Sequence, residues 1–105
     1  MPRFVLSPEA REDLRQLRDY LGGEGGRQLA RYVLQTIEAA FRLLAAHPEA
    51  GHNRRDLTPL PVKFWSVFSY LIVYDPTARP LAIVRVLHGH RDVGAILRRH
   101  SPEVP

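Results

Sequence analysis

The apolar positions of the first half of the chain fall into two helical stripes. In "SPEAREDLRQLRDYLGG", Ala10, Leu14, Leu17 and Leu21 recur at steps of four, three and four residues, which is one face of a 3.6-residue repeat. Ser7 stands where a structural cap is needed, Pro8 suits the first helical position, and Glu9, Glu12 and Asp13 complement the positive end of the helix dipole. Gly22-Gly23 is expected to stop this helix. After "GGEGG" a longer stripe runs through Leu29, Val33, Ile37, Phe41 (or Ala40) and Leu44, and Pro48 ends it. The short glycine-rich link predicts an antiparallel helical hairpin. One partner helix cannot bury both stripes, so a sheet is required.

The second half supplies it. "PVKFWSVF", "SYLIVYD" and "PLAIVRVLHG" are β-branched and aromatic runs, separated by Phe68-Ser69 and by the turn-forming "DPTARP". Short turns between consecutive strands predict an antiparallel meander. "GHNRRDLTPLP" precedes it as a polar loop with room for one short strand, and "RFVL" at the start of the chain is a further short strand. The expected fold class is α+β, in the order β-α-α-β-β-β: an antiparallel helical hairpin packed on a twisted antiparallel sheet, with a short C-terminal helical segment. A chain of 105 residues suits one domain, here 1–100, with 101–105 as a tail.

Composition narrows the chemistry. There are no cysteines, which removes disulfides, thiol nucleophiles and thiolate metal sites. The net charge of +4 rests on fourteen arginines and a single lysine, Lys63. Arginine's rigid fork suits phosphates and carboxylates, so a nucleic acid or an acidic protein is the expected kind of partner. The apolar run near the N-terminus is only Phe4 to Leu6, and no stretch approaches the ~20 apolar residues of a membrane span. A cytoplasmic protein without membrane contact is expected.

Four chemistries can be weighed on the residues. His88 and His90 have a chelating spacing, but Gly89 and the reversal of the chain expected there spoil it; only Asp92 is a local third ligand, with His47, His52 and His100 unplaced. No metal and no cofactor are expected. Ser7, Ser66, Ser69 and Ser101 lack the setting of a nucleophilic turn. "GGEGG" follows a helix and lacks the lysine and hydroxyl of a phosphate loop, so it reads as a turn. Metal-free phosphodiester cleavage has more support, because Arg85, His88, His90 and Arg91 gather at one strand end. Against it, Asp92 is explained as a structural cap of the last helix and His88 as a residue closing the strand.

In order and spacing, "LSPEAREDL", "AAHPEAGHNRRDL", "YLIVYD" and above all "IVRVLHGHRD" resemble the ParE/RelE superfamily of type II toxin–antitoxin toxins. The resemblance runs from about Phe4 to Leu97. It implies two antiparallel helices on a twisted sheet and a cognate ParD-like antitoxin whose C-terminal segment, disordered when free, wraps the toxin. The RelE-like branch cuts messenger RNA on the ribosome; the ParE-like branch poisons DNA gyrase by binding.

The departures favour the ParE-like branch. Arg91 matches the last-strand arginine, but Leu97 stands where the ribonucleases would have a tyrosine, Leu71 where they would have an arginine, and Lys63 alone where they would have a lysine cluster. The resemblance therefore implies a gyrase-binding toxin, more readily a binder than an enzyme, with Arg85, His88, His90 and Arg91 as target-binding candidates. The alternatives are a ribosome-dependent endoribonuclease using His88, His90 and Arg91, and an inactive toxin-derived scaffold. Direct nucleic-acid binding is compatible with the charge but not required.

Overall fold

The computed structural model describes residues 3–89 and 91–100, apart from the side chains of Glu24 and His100. His90 and the tail 101–105 lie outside the described residues. The chain runs β1 (Phe4–Leu6), α1 (Pro8–Glu24), α2 (Gly26–Ala46), β2 (Lys63–Val67), β3 (Tyr70–Asp75), β4 (Leu81–His88) and α3 (Val93–His100). The sheet order is β1-β4-β3-β2. β2, β3 and β4 form the antiparallel meander, with Val67 opposite Tyr70 and Tyr70 opposite His88. The α+β class and element order are those the pattern implies. In one respect the sheet differs: β1 pairs parallel to β4, so it is mixed. The helical hairpin and the first two meander strands supply the long crossover that a parallel pair needs.

Helix α1 starts at Ser7, whose Oγ accepts the Ala10 N–H at 2.9 Å. It does not stop at Gly22-Gly23 but continues to Glu24, since neither glycine is required by a turn there. The reversal is confined to Gly25-Gly26: Gly25 N–H donates to the Leu21 carbonyl at 2.8 Å, and Gly26 has φ +85°, which glycine adopts without a Cβ penalty. Along α2 the buried line is Ala30, Val33, Ile37, Ala40, Phe41 and Leu44, while Leu29 is 41% exposed. Successive four-residue steps each rotate about 40° around a helix, so the spacing from Leu29 to Phe41 drifts off the face that Ala30 keeps.

Both faces of the sheet are covered. Ile72, Tyr74, Leu81, Ile83 and Val86 pack under the α1–α2 hairpin with Leu17, Leu21, Ile37, Phe41 and Leu44. On the opposite face Phe64, Val73 and Leu87 pack with Val62 and with Val93, Ile96 and Leu97 of α3. A register shift sits between Val73 and Tyr74, whose partners are Arg85 and Ile83, so Val84 is the extra residue. That bulge changes the phase of β4: Leu81, Ile83 and Val86 serve the hairpin core, and Leu87 serves the other.

Candidate functional site

The far half of β4 carries the candidate residues, and α1 holds it in place. Because β1 ends at Leu6, the outer edge of β4 has no strand partner beyond Ile83 among the described residues. Side chains of α1 and its cap take over. Ser7 Oγ–H donates to the Val84 carbonyl at 2.7 Å, and the Asp13 carboxylate accepts the Val86 N–H at 3.0 Å. The same carboxylate grips Arg85 with two bonds, Nε to Oδ2 at 2.7 Å and Nη2 to Oδ1 at 2.8 Å. Both side chains are largely buried, 15% exposed for Arg85 and 6% for Asp13. Hydrogen bonding to Asp13 pushes the guanidinium pKa above its ordinary value. Arg85, a target-binding candidate on sequence, is thus held in a clasp between α1 and the sheet.

At the end of the strand, His88 Nε2 and Ser69 Oγ lie 3.2 Å apart, and the imidazole meets the Tyr70 ring edge-on, centroids 5.1 Å apart. Gly89 N–H donates to the Ser69 carbonyl at 2.8 Å, and a Cβ at Gly89 would come within 3.2 Å of that oxygen, so the close approach favours glycine. The chain then turns: Arg91 N–H donates to the His88 carbonyl at 3.0 Å, and Asp92 Oδ1 accepts the Ala95 N–H at 3.1 Å at the start of α3. Arg91 is exposed and lines a groove of about 370 Å³ with His88, Tyr70 and, from α1, Leu17 and Tyr20. His90, the other residue expected here, lies outside the described residues. Among the described residues no three His, Asp or Glu side chains are grouped to hold a metal ion, and no helix is long and apolar enough to cross a membrane.

The structure does not bring the positions of a RelE-like ribonuclease to this groove. Leu97 is fully buried in the second core, and Leu71 packs against it. Lys63 sits at the start of β2, four residues before the Val67–Tyr70 pair, or about 13 Å along the strand. Its ammonium donates to Asn53 Oδ1 at 3.1 Å and lies 3.6 Å from Glu49. The groove therefore offers a guanidinium, an imidazole and two phenols, without the lysine.

The sequence profile of the family described as ParE toxin of type II toxin–antitoxin system, parDE, matches residues 4–93. The chain belongs to the ParE toxin family. Toxin ParE3 of Caulobacter vibrioides is 28% identical over 101 residues, covering 96% of this chain and all of the relative. A solved structure, the chromosomal ParDE TA system from P. aeruginosa, superposes with a TM-score of 0.70 at 18% identity, over 84% of this chain and 96% of that one, and so supports the fold.

In this ParE-type toxin Asp13, which the sequence pattern marks only as a helix-dipole acid, is the residue that holds the site's strand. A usable signal existed. Asp13 falls three residues after Ala10 and four before Leu17, inside the buried stripe, and Arg85 interrupts the apolar run "AIVRVL". One acid and one base, each placed in an apolar pattern, are the sequence signature of a paired burial.

Proposed function

We propose that this toxin acts by binding DNA gyrase through the β4–α3 end, and that a ParD-like antitoxin neutralises it. Membership of the ParE family carries the reading. The burial of Leu97 supports it, because an acid–base group at that position would face the core rather than a substrate. Arg91 and His88 are the residues assigned to target contact within the described chain, and Arg85 holds the strand that presents them. Such a protein would work in the cytoplasm, where gyrase is.

The antitoxin requires a separate surface. Leu6, Leu14 and Leu34 line a groove between β1 and the helical hairpin, and Arg11, Arg15 and Arg18 rim it. An apolar floor with a basic rim suits an amphipathic, acidic segment that orders on binding. Part of the rim is already neutralised, since Arg15 pairs with Glu12 and with Asp19.

Induction in cells tests the target. The wild-type toxin is expected to trigger a DNA-damage response and trapped gyrase–DNA breaks, with no codon-positioned cuts in messenger RNA by primer extension. Arg91→Ala is expected to lose toxicity while keeping its thermal transition. Codon-positioned cuts with supercoiling untouched would establish the ribonuclease alternative, with His88, His90 and Arg91 doing the proton and charge work. No effect of either kind would point to an inactive scaffold.

A further inference from the structure

Next to the groove beside Tyr20 lies a second depression that shares a lining residue with it. Asp13 lines the first and Arg85 the second, so the clasp lies between them, and Arg91 lines both. Beyond Arg91 the second depression reaches Arg99 of α3, with Glu9 also lining it. The two ends differ in chemistry. At one end stand Tyr20, 63% exposed, and the half-buried Tyr70. Both line the same groove, and burial, with the Tyr20 phenol as a second cause, raises the Tyr70 pKa. At the other end stand two exposed guanidiniums, Arg91 and Arg99, neither of which has an ion-pair partner among the described residues. The floor contributes no net charge, because Asp13 and Arg85 neutralise each other.

We propose that this furrow binds a short single-stranded nucleic-acid segment, with bases stacking on Tyr20 and Tyr70 and phosphates meeting Arg91 and Arg99. Every base offers a π-face to a tyrosine, and each phosphate offers the paired oxygens that a guanidinium fork fits. An acidic peptide would satisfy the arginines but would leave the aromatic end without a partner. An exposed phenol and two guanidiniums without an ion-pair partner among the described residues thus line adjoining depressions that share Arg91. Glu9 is an opposing charge that, unlike Asp13, has no ion-pair partner among the described residues. The inference goes beyond the gyrase reading, and its test involves no gyrase.

The test is fluorescence anisotropy of the full chain with labelled oligo-dT and oligo-U of about twelve nucleotides, a duplex of equal length, and a poly-glutamate peptide, across a salt series. Single strands are expected to bind more tightly than duplex, and the tighter of oligo-dT and oligo-U identifies DNA or RNA as the source. Arg91→Ala and Arg99→Ala should each flatten the salt slope by about 0.7. Tyr20→Ala should weaken single-strand binding about fivefold or more while leaving that slope unchanged. Glu9→Gln should tighten it. Circular dichroism checks that each variant is folded. Single-strand binding indifferent to Tyr20→Ala, or a poly-glutamate peptide bound as tightly as the oligonucleotides, would overturn the proposal in favour of a protein segment. Absence of measurable binding to any strand would overturn it outright. A toxin that fails to poison gyrase but passes these tests would sink the gyrase reading and leave the furrow standing.

Discussion

The two faces of the sheet are built to different standards. Under the α1–α2 hairpin the core is continuous, with two long helices, the Phe4–Phe41 ring pair at 5.2 Å, and the Asp13–Arg85 clasp at its margin. The opposite face is covered by the eight residues of α3 and by side chains from the loop before β2, Leu57, Leu60 and Val62. A helix of that length has no stability of its own and exists because Val93, Ile96 and Leu97 are buried. Yet it is this lighter face that carries Arg99 and follows directly on Arg91. The heavier face keeps the fold and walls the groove, and the lighter one brings Arg91 and Arg99 to its edge.

The largest effects should separate the faces. Phe41→Ala, in the hairpin core, is expected to cost about 3 to 5 kcal/mol and to lower the whole denaturant transition. Leu97→Ala removes a comparably buried side chain, but its loss should appear as faster amide exchange in α3, with a smaller shift of the global midpoint. Equal midpoint shifts with uniform exchange would make the two faces one cooperative unit. A cost below about 1 kcal/mol at Phe41 would mean that the α2 stripe is not the core.

Next comes the clasp that ties α1 to β4. Asp13→Ala leaves Arg85 buried without its carboxylate and the Val86 N–H without an acceptor, for an expected loss of about 3 kcal/mol or more. Arg85→Ala should cost a similar amount. The double variant should lose much less than the sum, because removing both ends of a buried pair leaves no orphan charge. Additive losses would show that packing, not pairing, holds α1 there.

What could be read in the sequence follows the same division. The periodic apolar residues of α1 and α2 and the three meander strands were legible, because each needs only its own spacing and its turn residues to be assigned. Three features were not. Gly22-Gly23 looked like a stop, but helix α1 ends only where Gly26 provides a positive φ. Leu29 fits the four-residue spacing of the stripe, but that spacing drifts about 40° per step from the face that Ala30 keeps, and Leu29 is exposed. The partnership of Asp13 and Arg85 spans seventy-two positions and depends on β1 ending early and β4 bulging at Val84. Around the candidate site, "HGHRD" marked where β4 ends, whereas the groove's other wall, Leu17 and Tyr20, comes from a distant helix and carries no local signal.

A smaller effect tests the hairpin face from its polar side. Tyr74 is buried in the core cluster, yet its hydroxyl donates to the Pro48 carbonyl at 2.7 Å and accepts the Gly51 N–H at 2.9 Å. Tyr74→Phe orphans both groups and should cost about 1 to 2 kcal/mol. Burial raises the phenol's pKa from its ordinary 10.0, against the Gly51 hydrogen bond that lowers it. The folded protein thus keeps the proton to higher pH than the unfolded chain does. Stability should be indifferent to this group below pH ~10 and fall as pH rises beyond it. The fall should be shallower in Tyr74→Phe, with Tyr70, also raised, accounting for part of what remains. An unchanged alkaline limb would place the titration elsewhere.

The smallest effect sharpens the comparison most, because it acts on the lighter face alone. Asp92 is half of the start of α3: its Oδ1 accepts the Ala95 N–H at 3.1 Å and its carbonyl accepts the Ile96 N–H at 3.1 Å. Asp92→Ala removes the first bond and keeps the second, for an expected loss of about 1 kcal/mol. If α3 opens independently of the hairpin core, that loss should be confined to its own amides, leaving the global midpoint nearly unmoved. Toxicity should then fall in step with the population of closed α3, since Arg99 moves with the helix and Arg91 lies at its base. Asp92→Asn, which keeps an acceptor in place, should restore both protection and toxicity. Restored protection without restored toxicity would mean that the carboxylate itself, rather than the helix it caps, takes part in target contact.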